Sequence, residues 1–141
     1  MPVINGLIWL HFVGLVVGFG GGIGMSQVGP RLVKAPPDQR EPLWPMYAAF
    51  NRMAMIGLGL MLITGPAVVA LKFGGPGALG LWFDIKILLI ILALMAIGFS
   101  HMGKAKFRRG DEGAAAQMVI GGCITGGLLV LTMLAAVMAF N

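Results

Sequence analysis

The chain has 141 residues, 58% of them hydrophobic and 11% charged, with a mean hydropathy of +0.92. A soluble domain carries about 25% charged residues, so this composition excludes an ordinary water-soluble enzyme and indicates an integral membrane protein. The formal net charge of +5, set in so apolar a chain, reads as a topology signal and an attraction to anionic lipid headgroups rather than as a nucleic-acid footprint.

Four apolar segments follow one another, roughly 4–28, 47–71, 82–103 and 114–140. Each has about 20 or more residues, enough to cross a hydrocarbon core ~30 Å thick. Backbone groups in lipid must be satisfied internally, and none of the segments alternates with the period of two that barrel strands show. The expectation is one all-α transmembrane domain over 1–141, an integral membrane four-helix bundle. Segment 1 has no Lys or Arg before it and is longer than a signal-peptide core, so it reads as a helix that is not cleaved. The links are short: "PRLVKAPPDQREPLWP" (30–45), broken by Pro30, Pro36, Pro37, Pro42 and Pro45; "FGGPGALG" (73–80); and "KAKFRRGDEG" (104–113). Cys123 is the only cysteine, which rules out an internal disulfide and leaves the redox compartment open.

Basic residues set the orientation. The first and third links lie on one side of a four-crossing chain, and every Lys and Arg except Lys72 and Lys86 falls in or beside them. The positive-inside rule places these links in the cytoplasm and both termini on the non-cytoplasmic side. A bacterial inner (cytoplasmic) membrane is the expected location.

The two histidines then separate. His11 lies about 7 residues into helix 1, ~10 Å from the outer end at 1.5 Å per residue. His101 lies about 20 residues along helix 3, ~30 Å from the same face. Two imidazoles that far apart cannot clamp one iron within one chain. His101, beside Met102 and Lys104, reads as interfacial. Level with His11 stand Thr64, Trp82 and Lys86, a potential polar cluster, with Gly65 and Pro66 loosening helix 2. An ionisable group inside a span is a functional hypothesis by default. Two plainer readings stay open: Lys86 snorkelling to the interface, and His11 making a simple inter-helix hydrogen bond.

Gly14, Gly18 and Gly22 share the helix face of His11. Small residues spaced by four let another helix approach closely, or clear room for a flat ring beside the histidine. The patch "GGCITGG" (121–127) reads as helix packing. "GFGGGIG" imitates a dinucleotide fingerprint, but Ile23 stands where its third glycine belongs and no strand precedes it.

With an early His in helix 1, "PRL" after it, Arg52 near the start of helix 2 and "W-F-x-x-K" opening helix 3, the chain resembles the HemJ-type membrane proteins. The closest stretch is "LWFDIKILLIILALMAIGFSHMGKAKFRRGDE"; "FNRMAMIGLGLMLITG" is similar to the corresponding helix of the CopD family. The resemblance covers about three quarters of the chain. It implies a small four-helix architecture, b-type haem and oxidation of protoporphyrinogen IX to protoporphyrin IX. It also implies His11 as the haem ligand, with Arg52 and Lys86 as further family positions. The fourth segment departs from the family pattern, having "AAAQMVIGGCITGG" in place of an Asn-Glu-Val-Pro-like element.

In the haem reading His11 is the metal ligand, Gly14 and Gly18 border the ring and Lys86 meets a propionate, while the polarity around the iron tunes its chemistry. Two other readings stand beside it. The CopD likeness suggests copper handling, and thioethers suit Cu(I), although Met53, Met55, Met95, Met102, Met133 and Met138 are scattered as gap-filling methionines are. The glycine faces and small loops also suit a non-catalytic subunit, docked in a homo-oligomer or a larger membrane complex.

Overall fold

The computed structural model describes residues 2–75, 77 and 79–139. Its order is α1 (Pro2–Lys34), a 3-10 turn (Pro37–Gln39), α2 (Leu43–Phe73), α3 (Gly80–Arg108) and α4 (Ala114–Ala139). Regular structure among the described residues is entirely helical, and all four α-helices are long and apolar enough to cross a membrane. The all-α, membrane-protein reading holds.

The helices outrun the apolar segments because hydropathy marks the hydrocarbon crossing, whereas backbone chemistry marks the helix end. α1 continues through Pro30 to Lys34 and stops where Pro36 and Pro37 push the chain into extended and 3-10 geometry. Arg40 ties that link back, its Nε donating to the Ala35 carbonyl at 2.9 Å. α2 starts at Leu43, with Pro45 in its first turn, where a missing N–H costs nothing. Gly110, at φ +100°, closes α3. Its N–H reaches Phe107 O at 3.0 Å and the Asp111 N–H reaches Lys106 O at 3.1 Å, the paired bonds of a Schellman ending.

Where one domain is expected, the contacts gather in two compact units, Met1–Ala78 and Leu79–Asn141. Each is a helical hairpin. In the first, Gly14 meets Gly57, Gly21 meets Ala54 and Phe50, and Gly29 meets Tyr47. Numbers rise along α1 as they fall along α2, so the pair is antiparallel. The buried positions Gly14, Gly21 and Val28 recur every seven residues, as do Gly57 and Thr64, the repeat expected of two helices crossing at a shallow angle. The approach is close enough to need glycine: a Cβ on Gly14 would stand 2.9 Å from the Gly57 carbonyl oxygen, and one on Gly57 would strike the Gly18 nitrogen.

The second unit repeats the plan with other chemistry. Ala93, Ser100, Gly103 and Phe107 of α3 are buried, as are Ala115, Met118 and Gly121 of α4. A Cβ on Gly103 would lie 2.6 Å from the Met118 nitrogen, and one on Gly121 2.7 Å from the Ser100 Cβ.

Outside these seams large apolar side chains face outward, among them Val16 at 70% exposure, Ile63 at 73% and Met95 at 67%. A helix apolar around its whole circumference is at home in lipid. In water the same area would cost about 25 cal/mol per Å².

Candidate functional site

His11 stands nine residues beyond Pro2, and Thr64 nine residues before Phe73. Both are about 13 Å along their helices from the same end of the first hairpin. Antiparallel pairing sets them level, and His11 Nδ1 lies 2.8 Å from Thr64 Oγ1. Thr64 is 3% exposed and His11 half-buried. The Gly14–Gly57 contact one turn away sets the helix spacing that lets the two side chains meet. Gly65 leaves room for the ring: a Cβ there would lie 3.3 Å from His11 Cε1, tight enough to crowd the imidazole. Pro66 then withholds the N–H that the Leu62 carbonyl would receive in an uninterrupted helix.

Donor accounting fixes the direction of the bond. Thr64 Oγ1 lies 2.6 Å from the Leu60 carbonyl oxygen. Two oxygens that close need a proton between them, and the hydroxyl has only one. Thr64 therefore donates to Leu60 and accepts from His11, so Nδ1 is the N–H nitrogen. In a neutral ring Nε2 then carries the lone pair.

The other candidate residues fall as follows. Gly14 and Gly18 face α2, with Gly18 in ordinary contact with Gly57 at 3.6 Å, whereas a Cβ on Gly22 would meet nothing within 4 Å. Gly14 and Gly18 thus lie against the α2 backbone and serve the helix crossing. Arg52 is exposed on α2, twelve residues before Thr64, about 18 Å along the axis, and does not join the His11–Thr64 pair. Lys86 and Trp82 belong to the second unit. There Lys86 is half-buried, with its ammonium 5.9 Å from the Phe83 ring centroid, and Trp82 is exposed. His101, half-buried, is on α3 one turn before Lys104, toward the basic end of that helix. Among the described residues no three His, Cys, Asp or Glu side chains gather at one point.

Several positions escape the sequence reading. Gly21 and Gly57 seat the first crossing, and their signal is the seven-residue repeat rather than spacing by four. Ser100 and Gln117 hold the second unit: Ser100 Oγ donates to Met118 O at 2.9 Å, and Gln117 Nε2 donates to Phe99 O at 3.0 Å.

No family model matches the chain, and no curated protein or solved structure matches it.

Proposed function

We propose that this is an integral membrane protein that binds b-type haem through His11 and takes part in membrane redox chemistry. The observation that carries the proposal is the anchored imidazole. An ionisable side chain sits inside an apolar helix, its Nδ1 held by Thr64 on the facing helix, in the tautomer whose Nε2 has the lone pair a metal requires. Four helices fit for membrane crossing provide the low-dielectric setting in which such a ligand governs iron chemistry. Haem, when bound, would supply one-electron transfer. His11 would hold it, and the likeness to the HemJ-type proteins suggests Lys86 and Arg52 as cationic positions and protoporphyrinogen IX as the substrate class. Both basic links lie in the cytoplasm in this reading, with the termini outside, in a bacterial inner membrane.

A second reading, a non-catalytic subunit docked in a homo-oligomer or larger complex, is favoured by Gly122 and Gly126. They are spaced by four on α4, and a Cβ on either would meet nothing within 4 Å, which leaves a face that another helix can approach closely. The absorption spectrum of the protein purified from haem-replete cells separates the two. A Soret band with reducible α and β bands is expected. Colourless protein at full purity would end the haem reading and favour the subunit.

A further inference from the structure

We infer that Thr64 is a positioning residue that locks His11 in its Nδ1–H tautomer, so that the lone pair of a neutral ring is on Nε2. The inference deepens the haem reading and rests on it for the ligand's identity, while the tautomer itself can be read with no ligand bound.

The lock is a directed chain of three groups. The Leu60 carbonyl accepts the Thr64 hydroxyl proton at 2.6 Å, and the Thr64 oxygen accepts the His11 Nδ1 proton at 2.8 Å. Each bond polarises the next. A hydroxyl that has given its proton to a carbonyl is a better acceptor, so it draws on the imidazole N–H and enriches the ring in electrons. A histidine side chain in water favours the opposite tautomer, with the proton on Nε2. Held that way, His11 would have no lone pair for a metal at Nε2, and its Nδ1 lone pair would face an oxygen that has no proton to offer. What resists turning the hydroxyl proton away from Leu60 is the 2.6 Å separation itself: without that proton two oxygen lone pairs would face each other in a site where Thr64 is 3% exposed. The same arrangement orients metal-binding histidines elsewhere: the nitrogen away from the metal donates to a fixed acceptor, which sets both tautomer and ligand strength.

The test uses 15N-histidine-labelled protein in detergent, without haem, with His101→Asn so that a single imidazole reports. Wild-type position 64 should give a pyrrole-type Nδ1 and a pyridine-type Nε2. Thr64→Val, which keeps the shape and removes the acceptor, should invert the two signals, and Thr64→Ser should restore them. A pyridine-type Nδ1 with Thr64 in place would overturn the lock, as would a spectrum unchanged by Thr64→Val. If haem is bound, Thr64→Val should also raise its midpoint potential, since a less electron-rich imidazole stabilises the ferric state less, and Thr64→Ser should return it. Failure to find any haem would defeat the haem reading while the nitrogen spectrum still decides the lock. An unchanged potential with haem bound through His11 would defeat the positioning role.

Discussion

The two hairpins solve one packing problem and leave different chemistry behind. Both bring helix backbones together at glycines, Gly14, Gly21 and Gly57 in the first, Gly103 and Gly121 in the second. Both add polar bonds across the seam. In the second hairpin those bonds run from Ser100 and Gln117, both neutral at all ordinary pH, to main-chain carbonyls. In the first, the bond runs between side chains, and one partner is an ionisable imidazole. The first seam thus contains an ionisable group, which inside a span is a functional hypothesis by default. In the proposed haem reading α1–α2 is the hairpin that would carry the axial ligand.

The largest effect should come from forcing the first seam apart. Gly57→Leu places a side chain where even a Cβ would strike the Gly18 nitrogen, and overpacking of this kind costs about 1–3 kcal/mol or more. Denaturation in detergent should show that loss, together with loss of the His11 tautomer preference. Gly59→Leu, two residues away with nothing within 4 Å of its Cβ, should leave stability within about 0.5 kcal/mol of the parent. Equal behaviour of the two variants would break the description of the seam.

Next in size is Ser100→Ala. The hydroxyl gives up one bond to a carbonyl that already serves the helix, so a loss of about 0.6 kcal/mol is expected, the average for inter-helix hydrogen bonds in membranes. Any haem held through His11 should remain, because Ser100 and His11 lie in different hairpins. The smallest effect is expected of His101→Asn, which should alter neither stability nor cofactor content measurably. Loss of haem in that variant would reverse the contrast between the hairpins.

Much of this fold is legible in the sequence, since lipid leaves a chain of this hydropathy few structures besides long helices. The helix ends are not. They depend on Pro36, Pro37 and Gly110, and on flanks such as 29–34 that continue a helix beyond the apolar segment. Thr64 is legible as a partner of His11 because antiparallel helices joined by a short link bring positions equidistant from their free ends to one level. The role of Gly14 and Gly18 is less so. Spacing by four suits a ring and a neighbouring helix equally well, and the choice is made by Gly57, whose own lack of a side chain shows only when the two helices are paired. The direction of the His11–Thr64 bond lies beyond the sequence altogether, because it depends on the 2.6 Å separation from the Leu60 carbonyl.

His11→Ala tests the proposed haem ligand most directly, read as the Soret absorbance per protein beside the far-ultraviolet circular dichroism of the same sample. Removal of the imidazole should abolish the Soret band while the helical signal and the unfolding midpoint stay close to the parent's, since only about 0.6 kcal/mol of inter-helix bonding is lost. A His11→Ala protein that keeps its full haem with an unchanged spectrum would contradict the assignment of His11 as the ligand.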